Sequence, residues 1–380
     1  MNGKHLSHGF IFLISIFLIF SCSNDNSFEQ KIETIDGVKT VINSAIPMNP
    51  LVEKFELVEE LSIGVDEGDS NYVFGHPSVV GIDRQKNIYI YDYSFHRISK
   101  FDSTGNFLLS FGKKGQGPGE FKSASIIIDR NSNIILSDPV NRRISVFDSI
   151  GGLVDDFLIQ GRDRAIFLNS KNQIILLNSE TNFVTKIHTY FITSYSFTGE
   201  VIDSLIRVEQ NIFAVVNGGA RGSIGILPFH CCIDEHDSFY IIFDSRYKIN
   251  KYNSQGELMF QFNRRFKSVE LTEEEKESRK KPVLGLNNKK YHAPIPKYKW
   301  DIYKVFSVNT KELWIYTARK DGEFRLFDVF DKNGKYLRKF YLKTSLPWYR
   351  VNFYQEKLFA VVETEEGFLR VKKFRLEKID

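Results

Sequence analysis

The chain has 380 residues, with 51 lysines and arginines against 47 aspartates and glutamates, and only three cysteines. This length is enough for one large or two ordinary domains with a sizeable core. The charge is nearly balanced and the basic residues are dispersed, which excludes a nucleic-acid-binding surface. Three cysteines exclude a fold held together by a framework of disulfides.

The first 21 residues are predicted to be a signal peptide. Lys4 precedes an apolar run from Phe10 to Phe20, which is too short for a membrane-spanning helix of about 20 residues. Ser21-Cys22 resembles the lipobox of bacterial lipoproteins, and this resemblance implies cleavage before Cys22 and acylation of the cysteine. Ordinary secretion is the alternative. Residues 22–50 are then expected to form a flexible, polar tether.

Two stretches of the chain, residues 83–109 and 129–155, repeat each other without a gap. Both combine short alternating apolar runs with turn residues such as Asp, Asn and Gly. A repeat of this length, with this content, predicts the four-stranded blade of a β-propeller.

Weaker copies of the repeat share one signature, an aromatic residue followed four residues later by glycine. This signature predicts the end of a third strand and a turn whose glycine takes a positive φ, with the aromatic packed between blades. It occurs at Phe101/Gly105, Phe147/Gly151, Tyr195/Gly199, Tyr252/Gly256 and Phe330/Gly334.

A sixth blade is needed to account for the two ends of the chain. Only three strands follow Pro347, whereas residues 55–63 form a strand without a hairpin partner. Pairing this strand with the last three removes exposed sheet edges. We therefore predict an all-β, six-bladed propeller over residues 51–380, closed by an N-terminal strand.

The glycine-rich stretch from Phe111 to Phe121 is predicted to be a loop between strands. Gly115 and Gly117 fit a dinucleotide fingerprint, but Glu120 stands where the third glycine should be. Pro118 removes a backbone donor, and the residues that follow have no helical period. A phosphate-binding loop is thus excluded.

The strongest repeat units resemble a known family. G-Q-G-P-G-E-F, I-I-I-D-x-x-x-N-I-I-L-S-D and N-R-R-I-S-V-F-D-x-x-G are similar to the NHL repeat, mainly over residues 75–155. Together with the lipobox, they resemble the six-bladed propeller lipoproteins common in Bacteroidota. This resemblance implies the fold and a lipid anchor in the cell envelope, facing the periplasm or the outside. It implies little about function, because propellers host many unrelated activities.

The second turn of each blade and the link to the next blade are predicted on one face, here called the linking face. Three insertions fall there, around Asn178–Tyr190, at Asn217–Gly222 and at Lys267–Lys299. Long loops on a rigid scaffold commonly carry binding sites. Thr272 and Glu275 form a capping box, which predicts a short helix in the last insertion. This helix is either a lid or a solvated decoration.

Cations and aromatics of the linking face are the candidate ligand-binding residues. The cations are suited to a carboxylate, a phosphate or an anionic sugar, and the aromatics to a sugar ring or a peptide. The candidates are His76, His96, Lys113, Lys114, Arg142, Arg221, Tyr291, His292 and Trp300.

A recurring D-x-x-x-[HR]-R spacing favours a structural role for part of this face. It predicts that Asp92 pairs with Arg97 and that Asp138 pairs with Arg143, bracing the second turns of blades one and two. Repetition from blade to blade favours structure, because a binding site is usually found at one place on the ring.

The favoured function is a lipid-anchored binding module for a protein, peptide or glycan. The alternatives are a metal-dependent propeller enzyme of the lactonase or lyase type and a structural component of an envelope complex. His76 and His230 fall on inner strands at different heights, and neither a metal-ligand set nor a Ser-His-Asp grouping is recognisable. We therefore predict no catalytic residue, metal or cofactor, although a cation in the central channel stays open.

Two further expectations concern association and redox state. We expect a monomer with no nucleic-acid partner, touching a membrane only through its lipid. The adjacent Cys231 and Cys232 are predicted to be a buried, apolar part of a strand rather than a vicinal disulfide.

Overall fold

The structure is a computed structural model that describes residues 27–159, 163–182, 184–185, 187–211, 229–280, 283–284, 290–291, 295–346, 351–354 and 356–379. These residues form a six-bladed β-propeller of antiparallel sheets with one short helix among the described residues. No described helix is long and apolar enough to cross a membrane.

The chain begins with a hairpin of β1 (Gln30–Ile35) and β2 (Val38–Asn43). Asp36 and Gly37 form its two-residue turn with φ values of 51° and 79°, the left-handed geometry typical of Asp-Gly hairpins. This hairpin corrects the predicted tether of residues 22–50, since half of that segment joins the propeller. The Asp-Gly turn between alternating apolar residues was the sequence signal for it.

The next elements are β3 (Val52–Ile63) and the first three blades, whose strands follow one another in sequence. Blade one consists of β4 (Pro77–Ile82), β5 (Ile88–Asp92), β6 (Arg97–Phe101) and β7 (Phe107–Phe111). Two short strands, β8 (Lys113–Lys114) and β9 (Glu120–Phe121), pair within the first link. Blade two consists of β10 (Ser125–Ile128), β11 (Ile134–Asp138), β12 (Arg143–Phe147) and β13 (Leu153–Leu158). Blade three consists of β14 (Asp163–Leu168), β15 (Ile174–Asn182), β16 (Ile187–Tyr195) and β17 (Val201–Asn211).

The last three blades carry the larger additions. Blade four consists of β18 (His230–Ile233), β19 (Phe239–Ile242), β20 (Ile249–Tyr252) and β21 (Leu258–Arg264). The link after it holds the helix α1 (Glu273–Arg279) and the pair β22 (Val283–Leu284) and β23 (Lys290–Tyr291). Blade five consists of β24 (Ile302–Ser307), β25 (Glu312–Asp321), β26 (Phe324–Asp331) and β27 (Tyr336–Lys343). Blade six contributes β28 (Val351–Tyr354), β29 (Lys357–Glu363) and β30 (Leu369–Ile379).

The N-terminal strand β3 takes the outer position of blade six. It pairs antiparallel with β30 along most of its length, from Lys54 opposite Ile379 to Ile63 opposite Val371. The first residues of β3 also run parallel to β27, so blades five and six share one sheet. In the same way, β2 runs parallel to β21 and extends blade four to six strands.

The core lies between the blades. Six clusters of buried hydrophobic residues are found among the described residues, and each joins two adjacent blades. One cluster joins Phe359 and Val371 of blade six to Ile90 and Phe101 of blade one. Contacts between the first and last blades therefore resemble those elsewhere in the ring.

The predicted aromatic-glycine signature has the expected geometry in every copy. The five aromatics are buried, and the five glycines have φ between 80° and 91°. A β-carbon at Gly151 would meet Phe111 of blade one, and one at Gly105 would meet Leu61 and Ile63 of β3. Each third turn thus packs on the outer strand of the preceding blade, including the strand supplied by the N-terminus. The five glycines are Gly105, Gly151, Gly199, Gly256 and Gly334.

The third turn of blade three keeps this geometry but differs in strand register. Gly199 has a φ of 82°, and a β-carbon on it would lie 2.6 Å from the Phe157 ring of blade two. The register of β16 and β17 shifts twice before this turn, whereas the same pair of strands shifts once in blades one, two, four and five. The repeat therefore predicted the role of Gly199 correctly but gave no sign of the second shift, which adds twist to this blade.

Candidate functional site

The predicted site residues are spread over the linking face. Cys22, Arg221 and His292 lie outside the described residues, and so does the side chain of Tyr291. The described candidates belong to blade one, the first link, blade two and the link before blade five. They are His76, His96, Lys113, Lys114, Arg142 and Trp300.

The two histidine candidates of blade one meet around a tyrosine. The Tyr93 ring centroid lies 6.2 Å from that of His76 and 5.5 Å from that of His96. His96 has a positive φ of 52°, and Arg142 has a φ of 55° at the equivalent place in blade two. Because the same left-handed residue recurs in both second turns, this position serves turn geometry first.

The predicted Asp–Arg pairs are replaced by two other sets of contacts. Asp92 accepts hydrogen bonds from the backbone N–H groups of Gly75, His76 and Ser94 at 2.8 to 3.1 Å. Asp138 accepts equivalent bonds from backbone N–H groups of its own turn and of the segment that enters blade two. Both carboxylates brace the second turn as expected, but the backbone supplies the donors.

The two arginines point elsewhere because these carboxylates are already satisfied. Arg97 donates to the carbonyl oxygens of Ser70 and Val73, each at 2.8 Å. Arg143 pairs with Asp156 on the neighbouring strand β13. The aspartates and arginines of the repeat therefore have structural roles as predicted, but the predicted Asp–Arg pairs were wrong.

The glycine-rich loop of the first link contains its own anion. The Glu120 carboxylate accepts hydrogen bonds from the N–H groups of Gln116 at 3.1 Å and Gly117 at 2.9 Å. Lys113 Nζ lies 2.9 Å from the same carboxylate, and these contacts lower the pKa of Glu120. Glu120 thus occupies the place that a bound phosphate would take, which agrees with the prediction that the loop is structural.

A cleft on the linking face collects a different set of residues. It lies between α1 and blade five, has a volume of about 340 Å³ and is called the blade-five cleft below. Its lining residues are Glu275, Arg279, Lys299, Trp300, Tyr303, Tyr316, Ala318, Lys320, Arg325 and Leu346. Trp300 is the candidate from the sequence that lies in it.

The ends of the last insertion hold α1 over the cleft. Val269 O accepts a hydrogen bond from Lys299 N at 2.8 Å, and Leu271 N donates to Lys297 O at 3.1 Å. The predicted capping box at Thr272 and Glu275 is present, which starts the helix at this point. Because Glu275 also pairs with Lys299, the helix is fixed to the wall of the cleft.

A bulge in blade five shapes the opposite wall. The register of β25 and β26 shifts between Tyr316 and Lys320, where β25 carries extra residues. Alternate residues Tyr316, Ala318 and Lys320 all line the cleft. The alternation of the strand puts these three residues on one face, and the bulge changes which residues of β26 stand opposite them.

The cleft carries an excess of positive charge. Arg279, Lys320 and Arg325 form no ion pair with any residue that the structure describes, and Arg325 Nε is buried without a hydrogen-bond partner. Burial raises the pKa of Tyr303 and of Tyr316, so both hydroxyls stay protonated near neutral pH. An anion that accepts from Arg325 would satisfy a buried donor that is otherwise uncompensated.

The second half of the last insertion is basic in sequence. From Arg279 to Lys299 the chain contains six lysines and one arginine but neither aspartate nor glutamate. The basic character therefore holds for the whole second half of the insertion.

Of the ten residues that line this cleft, sequence reasoning singled out only Trp300 as a candidate and missed the other nine, among them Tyr303, Tyr316, Lys320 and Arg325. Blade five departs strongly from the repeat, and its bulge has no recognisable sequence signature. The sequence signal available for the cleft was the pair of cations, Lys320 and Arg325, on either side of Asp321-Gly322 at the second turn of the blade.

A lysine of an inner strand bridges blades five and six. Lys304 Nζ donates to Val351 O at 2.8 Å and to Asn352 Oδ1 at 3.0 Å, which ties blade five to blade six. Burial lowers the pKa of Lys304 to about 8, and burial together with this lysine lowers that of His230 to about 4. Among the described residues, no group of three or more His, Cys, Asp or Glu is placed to hold a metal ion.

The adjacent cysteines are free thiols packed on opposite sides of β18. Cys231 contacts the cluster between blades three and four, and Cys232 the cluster between blades four and five. Burial raises the pKa of both thiols. Consecutive side chains of a strand point to opposite faces, which explains why the pair behaves as an apolar part of the blade.

Comparisons with known proteins agree with this fold. The family model DUF5128, described as a 6-bladed beta-propeller, matches residues 68–153. No curated protein matches the chain.

Two solved structures from Bacteroides have the same architecture. One is a putative exported protein from Bacteroides fragilis, with 11% identity, 86% of this chain and 100% of that chain covered, and a TM-score of 0.51. The other is a member of the DUF4221 family from Bacteroides vulgatus, with 11% identity, 87% and 100% coverage and a TM-score of 0.50. At these identities the likeness concerns the fold, which is a six-bladed β-propeller.

Proposed function

We propose that the protein is an exported binding module, anchored in the cell envelope through acylated Cys22, that captures an acidic saccharide in the blade-five cleft. This choice refines the wider expectation of a protein, peptide or glycan ligand. The similarity to a putative exported protein and the predicted signal peptide support the location.

The observation that carries the proposal is the group of cations without ion-pair partners around aromatic rings. Arginine binds carboxylates and sulfates with two parallel hydrogen bonds, and Arg325 Nε is already buried and unpaired. Lys320 and Arg279 add positive charge at the same cleft. The ligand is therefore expected to bring at least one negative group to Arg325.

The size and aromatic lining of the cleft favour a saccharide over a simple anion. Its volume of about 340 Å³ lies within the range of small-molecule pockets. Trp300 and Tyr303 place aromatic rings beside the cations, and the buried Tyr316 forms part of the wall behind them. A sugar ring packs well on such faces, and its acidic group would reach the guanidinium.

Calorimetric titration of the mature protein with an oligogalacturonide and with its methyl-esterified counterpart tests the proposal. The charged form should bind and the neutral ester should bind at least about tenfold more weakly, because the ester removes the negative charge. Arg325→Gln should have a similar effect. The same substitution at Arg375, a half-buried arginine of β30 paired with Glu377, is the matched control and should leave binding unchanged.

Two results would count against an acidic-saccharide site. One is equal binding of the charged and neutral oligosaccharides. The other is unchanged binding of the charged form after Arg325→Gln. Absence of binding in the wild type would direct the search to another ligand class.

A further inference from the structure

A second and larger cavity lies beneath the N-terminal hairpin. Its volume is about 890 Å³, and it is called the hairpin pocket below. One wall is formed by residues 29–33 and 42–44 of the hairpin segment. The other wall is formed by the end of β21, the second turn of blade four and the residue that precedes β24. The pocket exists only because the hairpin docks on blade four.

Most polar groups in the wall of the hairpin pocket are already used. Asn43 donates from Nδ2 to the carbonyl oxygens of Asn263 at 2.8 Å and Gly334 at 2.9 Å. Arg264 donates from Nε to Asp328 Oδ2 at 2.7 Å, and the pair is almost fully buried. These contacts fix the buried part of the wall against blades four and five, whereas the exposed Glu29, Lys31 and Glu33 of the hairpin segment line its outer side.

Asp301 is the exception in this wall. Its side chain lines the pocket, the residue is 3% exposed, and Oδ2 accepts a hydrogen bond from Tyr247 N at 3.0 Å. Burial raises the pKa of Asp301, against the opposing effects of Ser268, the Tyr247 N–H, Arg246 and Arg264. The Ser268 hydroxyl lies close, but Oδ1 has no hydrogen-bond partner of normal geometry. A buried carboxylate oxygen that lacks a hydrogen-bond donor favours a ligand that donates a hydrogen bond to it.

Arg246 offers the complementary group at the open side of the pocket. Its guanidinium is exposed and donates from Nη1 to Ser268 Oγ at 3.1 Å. It forms no ion pair with any residue in the described part of the chain. The pocket thus presents a hydrogen-bond acceptor at its buried end and an unpaired cation near its mouth.

We propose that the hairpin pocket is a second ligand site, specific for a small zwitterion such as a short peptide. The amino group of the ligand donates to Asp301 Oδ1, and its carboxylate accepts from Arg246. This site is independent of the blade-five cleft. Trp300 lines the cleft and Asp301 the pocket, so one short link separates the two sites.

Calorimetric titration of the full mature protein with L-alanyl-L-alanine, its N-acetyl derivative and its C-terminal methylamide tests this site. The free dipeptide should bind, and each derivative should bind at least about tenfold more weakly, because each removes one of the two charges. Asp301→Asn keeps an acceptor for the Tyr247 N–H but replaces the free oxygen with an amide, and it should abolish binding. Arg246→Gln, on the surface, is the second variant and should weaken binding without affecting folding.

Arg375→Gln serves as the matched control, because this residue of β30 pairs with Glu377 and lines neither the pocket nor the cleft. It should leave dipeptide binding unchanged, just as Asp301→Asn should leave oligogalacturonide binding unchanged. Equal binding of the N-acetyl dipeptide would overturn the proposal, as would wild-type affinity in both Asp301→Asn and Arg246→Gln. No dipeptide binding at millimolar concentration would also overturn it and would assign the pocket to water alone.

Discussion

The contact between each third turn and the preceding blade can be tested at Gly256. This glycine has a φ of 82°, and a β-carbon built on it would lie 1.7 Å from the carbonyl oxygen of Leu205 in blade three. Gly367 in blade six is the matched control, since it has a φ of 88° but no atom within 4 Å of the same position. Alanine at either site requires a left-handed residue, but only alanine at Gly256 must also push the backbone of β17 away.

The expected magnitudes follow from these two effects. A left-handed conformation costs an alanine about 1–2 kcal/mol, and this cost applies to both variants. Overpacking against the neighbouring strand adds about 1–3 kcal/mol to Gly256→Ala alone. Each kcal/mol corresponds to a melting-point shift of about 2–4 °C in a domain of more than 150 residues.

Thermal unfolding of both variants, followed by circular dichroism, provides the assay. Gly367→Ala should unfold about 2–8 °C below the wild type, and Gly256→Ala should unfold several degrees lower still. Equal melting points for the two variants would refute the inference that close inter-blade packing, rather than backbone conformation alone, requires glycine at the third turn.

Three further predictions concern stability. Lys304 has a pKa near 8 in the folded protein against 10.5 when unfolded, so at this site the unfolded chain binds more protons between these values and the contribution of Lys304 to stability should rise with pH from about 8 to 10.5. The difference in urea-unfolding free energy between the wild type and Lys304→Met should therefore change over this range in favour of the wild type, and a constant difference would contradict the assignment. Arg143→Ala should destabilise blade two by about 2–3 kcal/mol, because it leaves Asp156 without its ion pair. A double-mutant cycle with Asp156→Ala should show non-additive changes in the free energy of unfolding. Additive changes would contradict the pairing. Asn43→Ala should lower the free energy of unfolding by about 2–4 kcal/mol, because it removes hydrogen bonds to Asn263, Gly334 and the N–H of Tyr336. If the hairpin is part of the fold, thermal unfolding should show this loss, whereas Gln30→Ala, at an exposed neighbour, should be nearly neutral.

The sequence predicted the features that depend on local chemistry. The positive φ of Gly105, Gly199 and Gly334, the buried aromatics before such glycines and the capping box at Thr272 all follow from residue type and spacing. The pairing of residues 55–63 with the last strands was predicted from an unpaired edge, and β3 pairs with β30 in the structure. These features need no knowledge of distant side chains.

Apart from the pairing of β3 with β30, partners across the molecule could not be predicted in this way. Arg97 and Arg143 were expected to meet the nearest acids in sequence, but the backbone had already satisfied those acids. The blade-five cleft depends on the bulge after Tyr316 and on the position of the insertion, and both are set by packing. The docking of β2 beside β21 joins residues more than 200 positions apart, which sequence periodicity does not show.

The most direct measurement of the central claim is a crystal structure of the mature protein soaked with an oligogalacturonide. The account predicts a sugar carboxylate at hydrogen-bonding distance, about 3 Å, from the Arg325 guanidinium, with a sugar ring against Trp300. Density for the ligand on another face, or in the blade-five cleft with its carboxylates turned away from Arg325, would contradict it.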